Sequence, residues 1–296
     1  MTDRFFDYLK EQDVKIYRNC NISRYSTIGI GGHATLILPQ TPDSFVFTLD
    51  YLREEKIKYK VVGRASNILF PDKDVESVII KTTNLNRFFV TDRLLYTECG
   101  ASFSKIINEL ANLGYGGFES LYCIPGTVGG MIYQNAGAYG ETISDNLVDA
   151  LVYFDGEIKR VDRDELSFAY RSSSLSKSGG ILLSARFNLI EALSDSIISS
   201  LLKVRERRNK NQPSDKRSLG SIFKRTDGIP ISMLIDKAGL KGYKIGGAEI
   251  SKKHAGFIIN NGGATASDVI ALINLIKSTL YYRYGIIPEL EIEILK

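Results

Sequence analysis

Imidazole and thiol groups are scarce in this chain, whose 296 residues include two histidines, His33 and His254, and three cysteines, Cys20, Cys99 and Cys123. The cysteines are odd in number and lack CxxC spacing, which argues against both a disulfide framework and a zinc site. Two histidines are too few for an imidazole-rich metal cluster, so acid–base chemistry has to rest on other side chains. Strong charge bias is also missing. The net charge is +4, and outside 203–217 the lysines and arginines are scattered, so nothing requires nucleic acid. No apolar run approaches the roughly 20 residues of a membrane span. The opening MTDRFFDYLKEQD is charged and amphipathic rather than a secretory signal. The expectation is a cytoplasmic monomer with no membrane insertion. No internal repeat or low-complexity tract appears.

Glycine is concentrated where those absences leave room for it. Gly116 to Gly140, GGFESLYCIPGTVGGMIYQNAGAYG, holds seven glycines and one charged residue. Glycine is kept where backbone must adopt positive φ or approach a ligand closely, and a run from Ile124 to Gly130 reads as a row of amides that could bind an anion without a lysine. A second glycine-rich stretch, Thr27-Ile28-Gly29-Ile30-Gly31-Gly32-His33-Ala34, has the spacing of a dinucleotide fingerprint. That reading fails, because the fingerprint needs a strand before it and a helix after it, and here a polar segment precedes and a strand follows.

The 44% hydrophobic content allows a large core, and the length favours more than one domain. In order, the pattern predicts a strand at 35–39, a helix opening at Thr41-Pro42-Asp43 with Phe45, Leu49 and Leu52 inward, and a strand at 58–62 that ends in Gly63-Arg64-Ala65-Ser66-Asn67. Strands at 77–81 and 94–99 follow, then a helix with Phe103, Ile106, Ile107 and Leu110 on one face that stops at Gly114. Beyond the glycine-rich stretch come strands near 150–154, 157–161 and 181–189, with a loop at 166–174. An amphipathic helix over 192–208 has a basic end that reads as solvated. The remainder predicts a short helix at 231–238, a strand at 256–260 and a long helix capped by Ser267. Alternating strands with few helices favour an α+β class over a doubly wound sheet.

Five motifs in one order carry a resemblance: Gly63-x-x-Ser66-Asn67; Ile124-Pro125-Gly126-Thr127-Val128-Gly129-Gly130 with Asn135-Ala136-Gly137-Ala138-Tyr139-Gly140; Tyr170-Arg171-x-Ser173; Gly220-Ser221-x-Phe223-Lys224; and Lys253-His254-Ala255-x-Phe257. Together they resemble the UDP-N-acetylenolpyruvoylglucosamine reductase (MurB) family over about 22–292, in its shorter form without the substrate-loop insertion. The resemblance implies an FAD-binding fold of the vanillyl-alcohol-oxidase type in two lobes, 1–81 and 82–190, and a C-terminal α/β substrate-binding module, 191–296.

It also implies FAD and NADPH as cofactors, and an activity in peptidoglycan precursor synthesis: reduction of the enolpyruvyl ether of UDP-N-acetylglucosamine to UDP-N-acetylmuramate. The alternatives are another oxidase of the same flavin fold, or a non-catalytic flavin or nucleotide-sugar binder. Carried over residue by residue, the proton donor is Ser221, while Arg171 and Glu291 stabilise the developing enolate, with Glu289 as the fallback for Glu291. FAD contacts fall on Gly63, Arg64, Ala65, Ser66, Asn67, Ile124, Pro125, Gly126, Thr127, Gly130 and Gly137. Substrate contacts fall on Tyr170, Lys224 and Arg205. The chain departs from the family pattern at Arg64-Ala65, where Gly-Gly is usual, at Cys123, where Gly is usual, and at Arg225-Thr226, where Asn-Pro is usual.

Overall fold

The structure is a computed structural model that describes residues 8, 9 and 11–295. Most of the amphipathic opening, residues 1–7 and 10, therefore lies outside the described residues. The chain divides into two compact units. The first comprises the described residues up to Arg18 with Thr35–Arg64 and Ser77–Glu206, and the second comprises Asn19–Ala34, Ala65–Glu76 and 207–295.

A four-stranded sheet opens the first unit, in the order Val14–Asn21, His33–Pro39, Val78–Lys81, Tyr59–Val62. Val78–Lys81 runs parallel to both neighbours. All four of its residues are buried, as expected for a strand covered on both faces. The crossover helix Pro42–Glu54 starts where the sequence predicts. Thr41 and Ser44 form a capping box, Pro42 sits in the first turn, and Phe45, Leu49 and Leu52 are buried.

The unit's second sheet is antiparallel, in the order Glu157–Asp162, Leu147–Phe154, Ile181–Asn188, Leu94–Glu98, Phe88–Thr91. Its edge strand Phe88–Thr91 is absent from the sequence reading. Helix Phe103–Asn112 buries the predicted face, and Phe103 meets Phe118 edge-on at 5.2 Å, with Phe187 at 5.7 Å from both.

The second unit holds an antiparallel sheet ordered Arg217–Ser221, Phe257–Asn260, Ala248–Ile250, Lys244–Ile245. Helices Ile231–Lys237 and Ala266–Tyr284 share its core through Ile235, Val269, Ile273 and Ile276. The cap of the long helix is Thr265, not Ser267: Thr265 and Asp268 form the capping box. Ser267 lies in the first turn, where its hydroxyl and amide both donate to Asp72 at 3.0 Å. At the basic end of helix Ser194–Asn211, Arg205, Arg207 and Lys210 are exposed as expected, while Arg208 is 8% exposed. A long side chain can bury its stem while its head finds partners.

Candidate active site

In the first unit the turn after Tyr59–Val62 meets the glycine-rich stretch. A Cβ built on Gly63 would overlap Thr127 Oγ1 and stand 3.1 Å from its Cγ2, so the site admits only glycine while Thr127 stays in place. Thr127 is needed there, since its hydroxyl accepts from the Gly130 amide and caps helix Val128–Tyr133. The Gly63 carbonyl accepts from Lys81 Nζ at 2.8 Å. Lys81 is buried, and burial together with the Arg64 guanidinium pushes its ammonium down to about 8. Arg64 itself is exposed.

The run from Ile124 to Gly130 turns out not to be a row of open amides. Ile124 donates to Leu121, Gly126 to Ile124, Val128 to Ala101 and Gly129 to Cys99, while Gly130 donates to Thr127 Oγ1. Local turns, the carbonyls of Ala101 and Cys99 next to helix Phe103–Asn112, and the Thr127 cap take them up. Among the described residues, the amides of Gly63 to Asn67 and of Thr127 donate to no acceptor of the chain. The family's glycine positions are also legible in the backbone: Ala65 has φ +49° and Cys123 φ +65°, conformations that disfavour any Cβ.

The loop carrying Tyr170 and Arg171 is pinned to the segment 133–137 by three hydrogen bonds. Asn135 Nδ2 donates to Ala169 O at 3.1 Å, Arg171 Nη2 to Gly137 O at 2.9 Å, and Ser173 Oγ to Tyr133 O at 2.8 Å. Arg171 has φ +52°, and its guanidinium lies 5.3 Å from the Tyr170 ring centroid. Tyr170 is exposed and Arg171 half-buried, and a guanidinium beside an aromatic ring is chemistry suited to a carboxylate or a sugar. Arg205 is exposed on helix Ser194–Asn211.

In the second unit, Ser221 ends strand Arg217–Ser221 opposite Phe257, just after a register shift between Ser218 and Ser221. Gly220, at φ +76°, supplies the conformation that such a bulge needs to redirect the next side chain. The following residues pair with the C-terminal segment. Glu291 N donates to Ile222 O at 2.8 Å and Lys224 N to Glu289 O at 2.9 Å, with Phe223 bridging Leu290. This zipper sets Ser221 and Glu291 beside one backbone hydrogen bond. Asn67 Nδ2 holds the Glu291 carbonyl at 2.8 Å. Glu289, the fallback carboxylate, is 72% exposed and paired with Lys224 at 2.6 Å.

Among the predicted residues, the structure thus brings Gly63 to Thr127, Arg171 to Gly137, and Glu291 to Asn67 and to Ile222, the residue after Ser221. The sequence reading gave no role to Lys81 and named Asn135 only within the motif Asn135 to Gly140. For Lys81 the available signal was a lysine closing the apolar run Val78-Ile79-Ile80.

Comparison with known proteins matches residues 212–295 to the family model "UDP-N-acetylenolpyruvoylglucosamine reductase, C-terminal domain" and residues 33–162 to "FAD binding domain". Proteins named UDP-N-acetylenolpyruvoylglucosamine reductase are similar over nearly the whole chain. The one from Pseudothermotoga lettingae is 39% identical, covering 91% of this chain and 94% of the relative. The one from Caldicellulosiruptor bescii is 40% identical, covering 97% and 92%. The solved UDP-N-acetylenolpyruvylglucosamine reductase of Thermus caldophilus superimposes with a TM-score of 0.84 at 31% identity, covering 96% of this chain and all of that one. A berberine bridge enzyme variant, at 15% identity and a TM-score of 0.50, shares the flavin-binding fold alone. None of these matches favours the two alternatives. With an FAD-binding fold of the vanillyl-alcohol-oxidase type followed by the reductase's own C-terminal domain, and relatives aligned from end to end, the chain belongs to the UDP-N-acetylenolpyruvoylglucosamine reductase family.

Proposed function

We propose that the chain is an NADPH-dependent flavoenzyme that reduces the enolpyruvyl ether of UDP-N-acetylglucosamine to UDP-N-acetylmuramate. FAD, when bound, supplies the hydride relay from NADPH to the substrate. The residues present fit that cofactor. Open amides at Gly63, Arg64 and Thr127 in the first unit, with the exposed Arg64 guanidinium, suit a diphosphate, and Ile124, Pro125, Gly126, Gly130 and Gly137 would line its approach. Gly63 lacks a Cβ where one would collide, which keeps the backbone accessible.

The observation that carries the catalytic assignment is the placement of Ser221 and Glu291 beside the Ile222–Glu291 hydrogen bond. Hydride addition to the terminal carbon of an enolpyruvyl group leaves negative charge on the adjacent carbon and its carboxylate, and that charge must be stabilised as it develops. Arg171 meets the carboxylate with a planar fork. Glu291 polarises the enol acid. Ser221 gives its hydroxyl proton to the adjacent carbon, completing the saturated lactyl ether. Serine is a weak acid in water, so the step depends on fixed geometry beside strong developing basicity, which the Gly220 bulge and the zipper to Glu291 supply. Tyr170, Lys224 and Arg205 hold the UDP-sugar, Lys224 exchanging Glu289 for the diphosphate. This reading makes the UDP-sugar and NADPH the partners of a cytoplasmic monomer.

The test is to mix purified protein, FAD, NADPH and the UDP-enolpyruvyl sugar and follow NADPH absorbance. Oxidation that requires the sugar supports the reading. Oxidation independent of the sugar, or none at all, overturns it.

A further inference from the structure

Lys81 is a buried cation in the first unit that the chemistry above leaves without a defined task. It closes Val78–Lys81, a strand buried along its whole length, where a charge is costly unless it is hydrogen-bonded or paired. Its ammonium donates to the Gly63 carbonyl at 2.8 Å. That carbonyl shares one peptide plane with the Arg64 amide, and across a trans peptide the C=O and N–H point in opposite directions. Holding the Gly63 oxygen therefore fixes which way the Arg64 N–H faces. The amide is one of those with no acceptor among the described residues.

Thr127 fills the space beside Gly63, so the peptide is held by the lysine and packed against the threonine. Burial and Arg64 both disfavour the ammonium, and two cations close enough to oppose each other form a place where an anion is welcome. Charge-assisted donors also hold a carbonyl more firmly than neutral ones.

We propose that Lys81 is a positioning residue for the diphosphate of the flavin nucleotide, acting through the Gly63–Arg64 peptide whose orientation it sets. The inference rests on the FAD reading above and extends it to a residue outside the cofactor motifs. Lys81→Met keeps the unbranched length and removes the charge and the donor, and Lys81→Arg restores both in a different shape. Apo-protein of the parent and each variant is melted alone and then titrated with FAD, with flavin fluorescence reporting the Kd.

A positioning role predicts a melting temperature for Lys81→Met apo-protein equal to or above that of the parent, because a buried charge has been removed. It also predicts a Kd for FAD weaker by roughly ten- to hundredfold, partly restored in Lys81→Arg. A Kd within twofold of the parent overturns the proposal. So does a melting temperature that falls by many degrees along with the affinity, since Lys81 would then serve the fold rather than the cofactor. If the parent itself binds no FAD, the flavin reading fails first and this inference fails with it.

Discussion

Gly63→Ala tests the contact on which the cofactor turn depends. The new methyl group would overlap Thr127 Oγ1, with Thr127 Cγ2 at 3.1 Å and Cβ at 3.2 Å. To make room, Thr127 must swing away from the Gly130 amide it caps, at about 1 kcal/mol for the lost cap, and the turn must absorb overpacking of about 1–3 kcal/mol. Gly63→Ala should therefore cost about 3 kcal/mol alone, and Thr127→Ala about 1 kcal/mol. In the double variant the hydroxyl and methyl are already gone, and only the 3.2 Å approach to Cβ remains. The pair should then cost less than the sum of the singles by about 2 kcal/mol, a coupling typical of residues in contact. Thermal unfolding of the four apo-proteins reads this as a double variant several degrees more stable than additivity allows. Additive melting shifts, or a Gly63→Ala protein as stable as the parent, would refute the steric account of the turn.

Two other outcomes follow from the backbone and from burial. Ala65 and Cys123 sit at φ +49° and +65°, a conformation costing a residue with a Cβ about 1–2 kcal/mol. Replacing either with glycine should stabilise the protein by about 0.5–1 kcal/mol after the entropy of the more flexible chain is subtracted, seen as a higher denaturation midpoint; an unchanged or lower midpoint contradicts the strain. Lys81 lies near 8 in the fold against 10.5 when exposed, so its ammonium is disfavoured in the folded state. That cost is complete below about pH 8 and disappears as pH rises to about 10.5. The stability gap between parent and Lys81→Met apo-protein should therefore shrink across this window by about 3 kcal/mol, and a gap independent of pH in denaturant titrations would count against the burial argument.

What could be read from the sequence was local. The helix start at Thr41-Pro42 is written in its cap and first turn, and the inner face of Phe103–Asn112 in its spacing. The helix Val128–Tyr133 escaped because its two glycines carry poor helix propensity. It forms through the Thr127 cap and the burial of Val128, Met131 and Ile132, and the amides at its start that had seemed open for a ligand donate to Ala101, Cys99 and Thr127. Ser267 was mistaken for a cap because Thr265 and Ser267 are both plausible two residues apart, and the decision falls to Asp72, distant in sequence. Arg208 and Lys81 look like surface cations until tertiary contacts bury them. The pairing of Glu291 with Ile222 joins residues about 70 positions apart, so the sequence offered Ser221 and Glu291 only as separate motif positions.

The central claim is that Ser221 delivers the proton that completes reduction, and stopped-flow flavin absorbance of Ser221→Ala tests it most directly. NADPH should still bleach the bound flavin at a near-parent rate, while reoxidation by the UDP-enolpyruvyl sugar should slow by about 100- to 10,000-fold. Ser221→Cys should recover part of the second phase, because a thiol is the stronger acid. If the alanine variant is reoxidised by substrate as fast as the parent, Ser221 is not the proton donor and the proposed chemistry is wrong.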